Sequence, residues 1–190
     1  DWFQKMRDSS SYMSDIITAI KGQAANVNTD EESTFTIEEM LKRSTLLMRH
    51  EFLRSGCQME VRYDRCREIV LRGDINNLIQ VLANLLSNAI YAQNQAGGGK
   101  IVVQIGYDEE NLNISVKDHG TGVSPAVRGK LFKSMVTNKG AMGTGLGLYI
   151  SNAVVRGKFG GTMWFEDNEG GGSIFGISIP LSLVQIGEEA

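Results

Sequence analysis

The sequence predicts an α+β protein in which a helical hairpin leads into a unit built from both strands and helices. Three observations carry that expectation. Apolar residues recur at helical spacing before residue 57, segments of apolar–polar alternation share the stretch from 58 to 182 with further helical patterns, and 14 of the 22 glycines fall between Gly120 and Gly176.

Each element follows from local pattern. Residues 1–23 carry Trp2, Phe3, Met6, Met13, Ile16, Ile17 and Ile20, and from Met13 onward the spacing is that of one helix face. The polar run from Asn26 to Ser33 interrupts it. Thr36-Ile37-Glu38-Glu39 then reads as a capping box that opens a second helix. Its stripe runs Ile37, Met40, Leu41, Ser44, Leu47, Met48 and Phe52, with Gly56 placed as a C-terminal cap. A hairpin of this kind buries its one apolar face most easily against a second copy, so a dimerising element is expected over residues 1–57. The other arrangement has both helices packing on the domain that follows.

Short strands are expected around Met59–Tyr63 and Glu68–Leu71. Gly73-Asp74 turns the chain, and Asp74 caps a helix from Ile75 to about Gln93. Leu78, Val81, Leu82, Leu85 and Ala89 form its buried face, while Gln80, Asn84, Asn88 and Tyr91 line an adjacent stripe. Asparagine is a mediocre helix former, and neither Asn84 nor Asn88 stands at a cap. The amides are therefore placed to meet a ligand such as a hard cation, or to hydrogen-bond solvent or another element.

Beyond the glycine-rich loop at 95–99, Ile101–Ile105 and Leu112–Lys117 read as a hairpin. The second strand keeps its apolar side chains on even positions, so Asp118 extends the inward-facing set. An ionised inward acid is costly unless donors meet it. With Gly120 and Gly122 beside it, the acid suggests a donor-rich ligand such as an adenine amino group; the alternative is an ordinary strand-to-turn transition. Pro125–Phe132 reads as a short helix and the stretch on to residue 142 as a loop or lid. Gly143-Thr144-Gly145-Leu146-Gly147-Leu148 opens a helix through Tyr149, Ile150, Ala153 and Val154. Its leading N–H groups and its dipole favour an anion, and a phosphate is expected there. Gly161–Glu166 and Ser173–Pro180 supply two more strands.

Composition narrows the classes. A net charge of −3 gives no nucleic-acid footprint, and an apolar content of 42% suits a soluble globular protein. No apolar run is long enough to span a bilayer and no signal peptide opens the chain, which begins inside a helical pattern and reads as a piece of something larger. Cys57 and Cys66 lack zinc-ligand spacing, and two reduced thiols fit a cytosolic setting.

Four of these elements, in this order, resemble the ATP-binding domain shared by sensor histidine kinases and by the topoisomerase, heat-shock-chaperone and mismatch-repair ATPases, the Bergerat or GHKL fold. Asn84-Leu85-Leu86-Ser87-Asn88-Ala89 is similar to its N box and Asp118-His119-Gly120-Thr121-Gly122 to its first glycine box. Leu131-Phe132 through Lys139 is similar to the F box, Gly143 to Leu148 to the second glycine box, and Gly172-Ser173-Ile174-Phe175 to the last motif. The resemblance implies a two-layer α/β sandwich over residues 58–190, a mixed sheet covered by helices on one face, behind a dimerisation and phosphotransfer-like hairpin at 1–57. It implies ATP and Mg²⁺ as cofactors, with Asp118 on the adenine amino group, Asn88 as the metal ligand, and Ser173 supporting Asp118. Asn84, Gly120, Gly122, Thr137, Lys139, Gly143, Thr144, Gly145, Leu146 and Gly147 would complete the nucleotide site. It also implies a homodimer formed through the N-terminal helices, a response-regulator receiver domain as partner, and a cytoplasmic location, including that of the cytoplasmic part of a membrane-anchored sensor.

Departures from the pattern define the branch. Hydrolysing members carry a glutamate as general base where this chain has Asn84, and an amide accepts no proton at neutral pH. That favours the histidine-kinase branch, in which the acceptor imidazole is itself the nucleophile. Tyr91 stands where many kinases have a basic residue. The usual acceptor position is Ser11; His50 falls near the end of the second helix and His119 in a variable slot of the glycine box. The expected function is therefore the catalytic core of a histidine-kinase-like protein that transfers the γ-phosphate of Mg-ATP to a histidine outside these residues. The alternatives are a serine kinase of anti-sigma type and a non-catalytic ATP-sensing dimer.

Overall fold

A computed structural model describes residues 33–63, 69–133 and 146–187. The helix expected over 1–23, with Ser11, and the site residues Thr137, Lys139, Gly143, Thr144 and Gly145 lie outside them. In chain order the elements are β1 (Thr34–Thr36), α1 (Ile37–Ser55), β2 (Gln58–Tyr63), β3 (Ile69–Arg72), α2 (Ile75–Gln95), β4 (Lys100–Tyr107) and β5 (Asn111–Lys117). They continue with α3 (Pro125–Arg128), α4 (Leu146–Phe159), β6 (Thr162–Asp167), β7 (Ser173–Pro180), a 3₁₀ turn (Leu181–Leu183) and β8 (Val184–Ile186).

β2-β4-β5-β7-β6 form a mixed sheet in which only the β2–β4 pair is parallel. Parallel neighbours need a crossover, and β3 with α2 provides it. Ile101, Val103 and Ile105 of β4, Leu112, Ile114 and Val116 of β5, and Phe175, Ile177 and Ile179 of β7 are buried on one side, in a single core with the apolar faces of the helices. The opposite side is polar. There Trp164 lies flat across Gly176, where a Cβ would overlap the indole, and its N–H donates to Ser178 Oγ at 3.1 Å. Ser178 in turn donates to Asn113 Oδ1 at 2.6 Å.

α1 starts and stops as its sequence dictates: Thr36 Oγ1 accepts the Glu39 N–H at 3.1 Å, and Gly56 takes the left-handed conformation at φ 66°. Ile37, Met40, Leu41, Ser44 and Met48 are buried, but Leu47 is 62% exposed, because the stripe drifts past it. The buried face packs on α2 in the same core as Leu78, Leu82 and Leu85. The expected stripe thus meets α2 within this chain, while Leu46, Leu47 and Leu53 of the same helix remain exposed.

A second, antiparallel sheet, β1-β3-β8, joins the two ends of the described chain. Neither β1 nor β8 is expected from alternation, since each is three residues long. Met40→Ala should lower stability by about 2–5 kcal/mol in urea unfolding. A change of a few tenths would mean that α1 is not part of this core.

Candidate functional site

Three segments converge at the C-terminal half of α2. The first is the turn after β5. Asp118 continues the inward side of that strand and is only 2% exposed. Its Oδ1 accepts the Gly120 N–H at 2.8 Å and the Ser173 N–H at 3.3 Å, so the remaining oxygen, Oδ2, is the one a ligand amine would meet. Burial pushes the carboxyl above its ordinary value of 3.8, and the two N–H groups oppose that shift only in part. The second segment is the start of β7, where Ser173 is buried and its carbonyl accepts the Asp118 N–H at 2.9 Å. The third is the first turn of α4.

Glycine is required where these segments touch. A Cβ on Gly120 would overlap the carbonyl of Ala92, so the loop after β5 rests directly on the α2 backbone. A Cβ on Gly172 would overlap the carbonyl of Asp118 in the same way. Gly122 sits at φ 70°.

At the other end of the stripe, Asn84 Nδ2 donates to Ser151 Oγ at 3.0 Å and to the Gly147 carbonyl at 3.4 Å. Asn84 thus anchors the first turn of α4, behind the buried Leu146. Asn88 lies between the two contacts, half-buried and one turn from each. α2 therefore acts as a ruler: Ala92 marks the acid end, Asn84 the helix-start end, and the two are about 12 Å apart at ~1.5 Å per residue.

The described site residues Asn84, Asn88, Asp118, Gly120, Gly122, Leu146, Gly147 and Ser173 line this half of α2 or the loops touching it. Two polar side chains there had no motif to announce them. Gln93, 4% exposed, accepts the His119 N–H on Oε1 at 2.8 Å and donates from Nε2 to the Gly98 carbonyl at 2.7 Å. Asn168, 5% exposed, donates to the Asp118 carbonyl at 2.7 Å. The available signals were weak: an amide on the buried side of a helix, and an asparagine next to a glycine-rich turn.

Residues 73–183, more than half of the chain, match the family described as histidine kinase-, DNA gyrase B-, and HSP90-like ATPase. The chain belongs to that family. Within it, the chain is 27% identical over 179 residues to sporulation kinase C of Bacillus subtilis, covering 94% of this chain and 40% of that protein. It thus spans less than half the length of the curated relatives it matches. The catalytic domain of the histidine kinase ThkA, solved in a nucleotide-free form, is 27% identical and superimposes with a TM-score of 0.68 over 79% of this chain and 95% of that one. ThkA in complex with the response regulator protein TrrA has the same fold at 22% identity, with a TM-score of 0.65 over 90% of this chain and 48% of that one. The mixed sheet packed against helices is thus the fold of a histidine-kinase catalytic domain.

Gly120→Ala should cost about 1–3 kcal/mol in chemical unfolding, because the α2 backbone cannot give way to a methyl group. Asp118 sets a pH dependence. Its folded pKa is raised, so the stability it contributes is complete below about pH 4 and is lost as pH rises through the folded value. Nucleotide-free Asp118→Asn should therefore gain on the wild type between pH 4 and 7, read as a widening gap in urea midpoints.

Proposed function

We propose that this chain is the ATP-binding catalytic core of a two-component sensor histidine kinase and that the parent protein transfers the γ-phosphate of ATP to a histidine outside the described residues. The observation that carries this reading is the buried carboxylate of Asp118, held on one oxygen, Oδ1, by two backbone N–H groups. Oδ2 accepts the adenine amino group, Ser173 holds the acid in place, and Gly120 and Gly122 admit the base beside α2. At the far end of the ruler the start of α4, at Gly147, is assigned to the phosphates, and the resemblance adds Thr137, Lys139, Gly143, Thr144 and Gly145 to that assignment.

Asn88 is the Mg²⁺ ligand in this reading. Among the described residues no cluster of carboxylate, imidazole and thiolate side chains could hold a metal by itself. A single amide oxygen midway between the acid end and the phosphate end suits an ion that keeps several waters and leans on phosphate oxygens. When bound, the ion supplies charge neutralisation along the phosphate chain. Asn84 gives its amide nitrogen to Ser151 and Gly147 and offers no basic group. That favours transfer to a protein side chain over activation of water.

Dimerisation is assigned to the N-terminal helices of residues 1–57; although one face of α1 packs on α2, Leu46, Leu47 and Leu53 are exposed on that helix. A response regulator, the kind of protein bound to ThkA in its complex, supplies the receiver domain that is the onward acceptor. A cytoplasmic location is assigned from the likeness to histidine-kinase catalytic domains; no helix among the described residues is long and apolar enough to cross a membrane.

Asp118→Asn should weaken ATP at least tenfold in calorimetric titration, as expected for loss of a charged hydrogen bond. Unchanged affinity would remove the adenine assignment. Asn88→Ala should abolish the enhancement of binding by Mg²⁺, and a variant that keeps it would exclude Asn88 as the ligand. Incubating the parent protein with γ-labelled ATP should give an acid-labile, base-stable label. An acid-stable label would indicate a serine kinase instead, and binding without label a nucleotide sensor.

A further inference from the structure

We propose that Gln93 and Asn168 are positioning residues for nucleotide recognition, which together clamp the single peptide group joining Asp118 to His119. The inference rests on the assignment of adenine to Asp118. The carbonyl of that peptide accepts Asn168 Nδ2 at 2.7 Å, and its N–H donates to Gln93 Oε1 at 2.8 Å. One amide comes from the C-terminal end of α2 and the other from the turn between β6 and β7. A peptide held at both poles cannot rotate, and rotation of this one would swing the Asp118 Cα–Cβ bond away from the pocket.

Each clamp residue is itself fixed. Gln93 donates its Nε2 to the Gly98 carbonyl, which leaves Oε1 in one orientation. The Asn168 backbone N–H donates to the Gly172 carbonyl at 3.2 Å and its carbonyl accepts the Gly171 N–H at 3.0 Å. Asn168 Oδ1 is buried without a hydrogen-bond partner among the described residues. Burying an unpaired amide oxygen is unfavourable, and an apolar side chain of the same shape would avoid it. What its nitrogen does is fix the Asp118 carbonyl. Ser173 secures the remaining backbone group of Asp118 by accepting its N–H. The acid is thus preorganised from three elements before any ligand arrives.

The test compares two nucleotides in the full chain: ATP, and purine riboside triphosphate, which lacks the 6-amino group. Gln93→Met and Asn168→Leu each remove one pole of the clamp at nearly constant volume. Each should cut the preference for ATP over the purine analogue by about fivefold, the equivalent of one neutral hydrogen bond, while leaving affinity for the analogue within twofold of wild type. Equal losses for both nucleotides, or a preserved preference in both variants, would overturn the clamp and leave Asp118 in its assigned role. A wild type with no preference for ATP would overturn the adenine assignment and the clamp with it. Thermal unfolding without nucleotide identifies a variant that has lost its fold, in which case the other variant decides.

Discussion

The burial of α2 is the constraint from which the rest of the molecule follows. Leu78, Val81, Leu82, Leu85, Leu86 and Ala89 are all but inaccessible, pressed into one core with the sheet and with α1. A helix held so firmly has a fixed rotation, and fixed rotation decides where its polar stripe points. Asn84 meets the first turn of α4, and the backbone at Ala92 receives the loop after β5 through Gly120. Apolar packing on one side of the helix thereby sets the spacing of polar contacts on another.

That arrangement maintains a group which works against folding. A carboxyl raised by burial is a liability to the empty protein at neutral pH, and two N–H donors lessen it without removing it. Groups perturbed by burial beside an open face are where binding sites are found. Here the unfavourable term has a clear location: it belongs to one side chain, set at the end of the ruler where Gly120 and Gly172 bring backbone closest.

The strands and helices that carry the site were legible because they are long and periodic. β4, β5, β7 and α2 each bury a continuous face, and the inward turn of Asp118 could be read from the parity of Leu112, Ile114 and Val116. What α1 packs against was not legible. An apolar stripe states that something covers it and not what, and the contacts of α1 with α2 join residues distant in sequence. β1 and β8 are too short to show a period and exist through their pairing with β3. Gln93 and Asn168 were hidden for a related reason. Each bonds a peptide 26 or 50 residues away, so nothing in its own neighbourhood marks it.

The three-stranded sheet carries one more implication. β1 and β8 flank the same strand, β3, which feeds directly into the first turn of α2. The described chain therefore starts beside Arg72 on one edge of β3 and ends beside Ile69 on the other. β3 thus holds both edge strands through four residues, and loosening it would release the two ends of the described chain together.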